Sequence, residues 1–323
     1  MGSSLKYRQQ KVRGRSNANG RRIEASRSKN SRLDVLKKYG ALLKTRRTLY
    51  VLFVLAFLSC SGFFKFFGIN DGQKRIVLAS ADEIADNKGM ALSCSRSYLE
   101  DIAAFEGCVP SYCGRAVTDN IITTSEAEVL LNLARRGFDY GGSEGGASIL
   151  DLHSGALSKG KKFINIYSII GASELFLKED LITYRLIRRK IQNVIADRFN
   201  ISKTSLHLTH PTFFSLLTNK NAATVHDEYW HTHVDKETYK SFHYTTLLYL
   251  NNYGKDFTGG RFIFDEKDNS STIVEPKQAR LSVFTSGSEN PHHVERVQSG
   301  ARYAVTISFT CDPKNAISDP GPE

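Results

Sequence analysis

"FHYTTLLYLNNYGKDFTGGRFIFDE", residues 242–266, decides the fold class. Two runs rich in β-branched and aromatic residues, "FHYTTLLYLN" and "RFIFDE", flank "NNYGKDFTGG", a cluster of Asn, Gly and Asp. Such runs suit a pleated surface, and such clusters supply the backbone freedom of turns. The pattern reads strand, turn, strand, and it continues in both directions. "SLHLTHPTFFSLL" lies upstream; "STIVEP", "ARLSVFTS" and "RYAVTISFT" lie downstream, with "SGSENP" as a further turn. So many strands at this density predict a mostly β core over 203–315, a β-sandwich or jelly roll.

Residues 118–202 read as helical support, which makes the class α+β. In "TTSEAEVLLNLARRG", Ser125 is placed to cap a helix, Glu128 sits at the capping-box position and Gly137 stops it. In "EDLITYRLIRRKIQNVIADRFN", Leu181, Tyr184, Ile187, Ile191, Val194, Ile195 and Phe199 recur at helical spacing behind an acidic start. "GGSEGGAS", 141–148, reads as a flexible loop. Residues 68–117 read as a polar stem leading into a cysteine-rich loop, and 316–323 as a tail.

The net charge of +11 is a property of one end. Residues 1–47 hold fifteen Lys/Arg and two acidic residues, a charge of +13, so the remainder carries −2. The globular part is thus close to neutral, no nucleic acid is expected as a partner, and 1–47 reads as a disordered basic tail. "TLYVLFVLAFLSCSGFF" follows without a charge; with Lys65 snorkelling, 48–67 predicts a transmembrane signal-anchor. The cationic excess before it orients the N-terminus to the cytosol and the C-terminal part to the lumen of the endoplasmic reticulum or Golgi. Cys94, Cys108, Cys113 and Cys311 beyond the anchor fit an oxidising compartment, and their spacing leaves three pairings open. Asn200 and Asn269 begin N-x-S/T sequons, so both are expected glycosylation sites.

The chemistry lies in "WHTHVDK", 230–236. On a strand, His231, His233 and Asp235 would share one face. His233 and Asp235 need a third ligand, and "NPHHVERVQSGARYAVTISF" offers His292 or His293. Two histidines and a carboxylate leave coordination positions open and suit non-haem Fe(II); zinc hydrolases use similar ligands. His226 and His231 read as structural neighbours.

Taken together, "HVD", "TTLLYLN", "TGGRFIFD" and "HHVERVQSGAR", in this order, resemble the Fe(II)/2-oxoglutarate-dependent dioxygenases of prolyl-4-hydroxylase type over roughly 118–312. The resemblance implies a double-stranded β-helix (jelly roll) core with supporting helices. It implies His233, Asp235 and His292 as iron ligands, with His293 the alternative for the third. It implies Arg302 as the clamp on the distal carboxylate of 2-oxoglutarate and Tyr249 as a hydrogen-bonding partner of that carboxylate. Two positions depart from the pattern: Arg296 stands where it has proline, and Trp230 where many members have tyrosine. The implied activity is hydroxylation of prolyl or lysyl residues of a protein or peptide, using O2 and 2-oxoglutarate and releasing succinate and CO2, with ascorbate as reductant. A non-catalytic jelly-roll module on a membrane stalk and a zinc hydrolase are the competing readings.

Overall fold

The computed structural model describes residues 74–169 and 175–320. The basic tail 1–47 and the expected anchor 48–67 lie outside the described residues. Among the described residues, no helix is long and apolar enough to cross a membrane.

The strands run β1 (Arg75–Ala79), β2 (Lys88–Leu92), β3 (Cys113–Thr118), β4 (Gly142–Ser143), β5 (Ala147–Leu150), β6 (Ala156–Gly160), β7 (Lys162–Asn165), β8 (His207–Leu208) and β9 (Phe213–Thr218). They continue as β10 (Tyr244–Tyr249), β11 (Phe257–Gly259), β12 (Phe262–Asp265), β13 (Ser271–Val274), β14 (Leu281–Thr285), β15 (His292–Val294) and β16 (Val297–Thr310). The helices are α1 (Arg96–Ile102), α2 (Thr124–Phe138), α3 (Lys178–Phe199) and the single turn α4 (Asp235–Thr238).

Two sheets result. The larger runs β2-β3-β14-β10-β16-β9-β5-β6-β4, and the smaller runs β1-β13-β12-β15. Beyond β9 the chain passes back and forth between the sheets, β10 in the larger, β12 and β13 in the smaller, β14 in the larger, β15 in the smaller and β16 in the larger, which is the winding of a jelly roll. Side-chain parity on the long strand β16 explains how one sheet serves two cores. Val305, Ile307 and Phe309 pack with Leu130, Leu133, Ile187 and Ile191 of α2 and α3. Ala304 instead joins Leu247, Tyr249, Phe262, Phe264 and Phe284, an apolar cluster shared by both sheets. Arg302 has the same parity as Ala304 and so belongs to the inter-sheet side.

Several expectations need correction. Residues 75–117 are part of the fold, not a stem: β1 pairs with β13, and β2 and β3 extend the larger sheet through β14. The cysteine-rich loop contains α1, and two disulfides, Cys94–Cys113 and Cys108–Cys311, pin it. The α2 cap is Thr123 with Glu126, each side chain bonding the other's backbone N–H, two residues ahead of Ser125 and Glu128. "GGSEGGAS" contributes β4 and the start of β5. The tail is docked as far as Asp319, whose carboxylate accepts from Arg188 Nε at 2.9 Å.

Candidate metal centre and cosubstrate pocket

Backbone pairing brings the donors together. His233 forms an antiparallel bridge with His292 of β15, each N–H donating to the other's carbonyl at 2.9 Å. The chain then leaves the strand path at Val234 and enters α4, so Asp235 reaches the histidines from a helical turn. The expected common strand face of "WHTHVDK" is therefore wrong. His231 is exposed and bonded to Glu228 at 2.8 Å, and His226 is exposed as well.

His233 Nε2 lies 3.7 Å and His292 Nε2 3.6 Å from Asp235 Oδ1. Among the described residues, these three side chains form the group whose donor atoms all lie within 4.8 Å of one another. Both rings are oriented from behind. His292 Nδ1 lies 2.9 Å from the Asn290 carbonyl, and His233 Nδ1 3.1 Å from that of His231. Donation to these carbonyls puts the proton on Nδ1 and leaves the Nε2 lone pair free, the arrangement metal-bound histidines share. Burial lowers the pKa of His292 and so favours its neutral form. Phe262, Phe264 and Phe284 surround its ring, with centroids 4.9–6.0 Å away. Asp235 Oδ2 is buried with no hydrogen-bond partner. A buried, unpartnered carboxylate oxygen beside two free imidazole lone pairs fits a divalent cation.

His293 points elsewhere. Its Nδ1 pairs with Asp265 Oδ2 at 2.8 Å, and the Thr232 hydroxyl donates to the same oxygen at 2.6 Å. Asp265 thus ties together the residues next to His233 and His292.

The second half of the site is Arg302. It is almost completely buried, its Nε donates to the Gly260 carbonyl at 2.8 Å, and its Nη2 has no hydrogen-bond partner. Among the described residues, no carboxylate pairs with it. Burial lowers its pKa, as expected of a desolvated cation without a counter-ion. A dicarboxylate cosubstrate would supply that counter-charge. Tyr249 meets Arg302 with its ring, 5.4 Å from the guanidinium carbon, while its hydroxyl lies 3.4 Å from Ser282 Oγ. Gly260 must be glycine: its φ is +68°, and a Cβ there would sit 3.0 Å from Arg302 Cδ. Gly300 likewise has φ +75°, and a Cβ would come within 2.2 Å of the Asp256 carbonyl.

The sequence reading missed Tyr229 as a wall residue. Its hydroxyl accepts the Val297 N–H at 3.0 Å and donates to the Thr218 carbonyl at 3.3 Å, joining the segment before His233 to β9 and β16. Its place beside Trp230 is visible in the sequence, but its partners are not. Asn200 and Asn269, the expected glycosylation sites, are both exposed.

A fold and a site of this kind define a class: the chain belongs to the 2OG-Fe(II) oxygenase superfamily, whose family model matches residues 219–310. It is 54% identical to 2-oxoglutarate and iron-dependent oxygenase domain-containing protein 3 of Xenopus tropicalis, over 78% of this chain and 80% of that one. To the Homo sapiens protein of the same name it is 53% identical, over 78% and 79%. A shorter likeness, 47% identity over 72 residues, covers 22% of this chain and 10% of Homo sapiens prolyl 3-hydroxylase 2. The chain is accordingly a 2-oxoglutarate-dependent dioxygenase of a family that uses Fe(II) and 2-oxoglutarate.

Proposed function

We propose that this oxygenase hydroxylates prolyl or lysyl residues of secretory-pathway proteins or peptides from a membrane-anchored, lumenal position. The single observation that carries the site assignment is the meeting of two incomplete constellations in one jelly roll. One is the His233–Asp235–His292 donor set, with a buried carboxylate oxygen lacking a partner; the other is the buried Arg302 lacking a counter-ion.

In this reading His233, Asp235 and His292 hold Fe(II), and Arg302 pairs with the distal carboxylate of 2-oxoglutarate. Bound iron supplies the oxidising power for C–H hydroxylation as 2-oxoglutarate and O2 become succinate and CO2. The protein's own residues do the positioning. The Asn290 and His231 carbonyls fix the imidazole tautomers. Gly260 holds the Arg302 fork, and the three phenylalanines keep water from the His292 side. His233, with its side chain 44% exposed, marks the open side toward substrate. A zinc hydrolase leaves Arg302 without a role.

The prolyl substrate class is supported by the likeness to prolyl 3-hydroxylase 2. The lumenal position is supported by the two disulfides, the exposed Asn200 and Asn269, and the charge flanks of 48–67. Ascorbate as reductant belongs to the same proposal. The test is mass-spectrometric comparison of secretory proteins with and without the enzyme, alongside iron- and 2-oxoglutarate-dependent succinate release. A prolyl or lysyl product one oxygen heavier is expected. Succinate release without any such product would remove the substrate class, and a glycosidase-insensitive chain with a cytosolic C-terminus would remove the lumenal position.

A further inference from the structure

The two departures from the family pattern meet in space. The Arg296 guanidinium carbon lies 4.3 Å from the Trp230 ring centroid. Trp230 precedes His233 by three residues and Arg296 follows His292 by four, so the pair flanks the bridged histidines. Tyr229 stands beside this pair, its ring centroid 5.2 Å from that of Trp230 and its hydroxyl accepting the Val297 N–H at 3.0 Å.

The charges around Arg296 are already matched. Arg261 pairs with Glu295 through two bonds of 2.8 Å, and Glu228 accepts from His231 at 2.8 Å. Arg296 is exposed, and among the described residues no carboxylate pairs with it. A guanidinium resting on an indole face is held in one orientation, yet its N–H edge remains available for a planar acceptor. A carboxylate suits that edge, because it takes two parallel hydrogen bonds.

We propose that Arg296, positioned by Trp230, reads an Asp or Glu side chain close to the residue presented for hydroxylation, so that the substrate is an acidic peptide segment. The proposal deepens the oxygenase reading and rests on it for the identity of the substrate as a peptide.

Trp230 is the sole tryptophan of the chain, so fluorescence excited beyond the tyrosine absorption band reports on this spot alone. The full chain, with Mn(II) and 2-oxoglutarate added, is titrated with a short proline-centred peptide flanked by glutamates and with its lysine-flanked counterpart. The glutamate peptide is expected to change Trp230 emission saturably and to bind more weakly as salt is raised; the lysine peptide is expected to leave emission unchanged. Arg296→Ala should weaken the glutamate peptide roughly two- to fivefold, the scale of one exposed charge pair. Arg296→Gln serves equally should the alanine variant misfold, and Arg296→Glu should reverse the preference. Equal responses to both peptides, no response to either, or undiminished binding by Arg296→Ala would overturn the proposal. Calorimetry of 2-oxoglutarate on the same wild-type sample separates the two readings: its failure there counts against the oxygenase assignment, while the peptide preference is still read at Trp230.

Discussion

At the residue scale, Arg302 is the group whose surroundings say most about its partner. A buried guanidinium is costly to desolvate, and here one carbonyl bond to Nε and the Tyr249 ring offset only part of that cost. An anion would both accept from the unpartnered Nη2 and balance the buried charge. Arg302→Ala should therefore weaken 2-oxoglutarate binding by about 2–5 kcal/mol, the range for truncating one partner of a buried charge pair. Arg302→Lys should recover part of this, since it keeps a charge and loses the fork. Anaerobic calorimetry with Mn(II) in place of Fe(II) measures both; wild-type affinity in Arg302→Ala would remove the clamp. His292 and His293 make the complementary point. They are adjacent in sequence and opposite in role because β15 turns successive side chains to opposite faces, one toward Asp235 and the other toward Asp265.

At the element scale, His243, just ahead of β10, yields a pH prediction. Its Nδ1 accepts the Cys311 N–H at 3.0 Å and its Nε2 faces Asp101 at 2.8 Å, so the fold holds the neutral ring. Burial, with the Lys236 charge adding to it, lowers its pKa from 6.5 to about 4. Above pH 6.5 the ring is neutral both folded and unfolded, and the contribution to stability is complete. As pH falls from 6.5 toward 4, the unfolded chain takes up a proton that the folded one refuses, and on the order of 3 kcal/mol is lost. Urea unfolding across this window should show a shallower pH dependence in His243→Gln than in wild type; identical slopes would contradict the assignment. Elements were legible in the sequence where periodicity is local. The runs that became β10, β12, β14 and β16 stand out, and on α3 Tyr184, Ile187, Ile191, Ile195 and Phe199 are buried as their spacing predicts, with Leu181 and Val194 half-buried beside them. What was illegible depends on distant partners. Both Thr123…Glu126 and Ser125…Glu128 satisfy a capping box; the first prevails with Glu126 also paired to Lys190 of α3, whereas Glu128 accepts from Gln278. β1 is short and largely exposed, and its pairing partner β13 lies far along the chain, so its sequence alone looks like linker. The ligand turn at Asp235 was misread for the opposite reason: an alternating "HTHVD" matches strand spacing while the backbone leaves the strand after His233.

At the scale of the whole molecule, the site depends on segments that only the complete fold unites. Cys108–Cys311 joins the loop after α1 to the end of β16 across 203 residues. A cross-link closing so long a loop restricts the unfolded chain strongly, and Cys311→Ser should cost about 2–5 kcal/mol of stability, read as a lower urea midpoint. An unchanged midpoint would show that packing alone secures this end of the strand. The metal centre itself takes His233 from an isolated bridge, Asp235 from a helical turn and His292 from the smaller sheet, with Arg302 supplied by the larger one. Anaerobic Fe(II) titration of the purified full chain and two variants, with circular dichroism as the control for folding, tests this arrangement most directly. Wild type and His293→Ala should bind iron stoichiometrically and, once O2 is admitted, release succinate from 2-oxoglutarate; folded His292→Ala should do neither. The reverse ranking of the two variants, or a wild-type protein that takes up zinc and stays inactive with iron, would contradict the centre built on His233, Asp235 and His292.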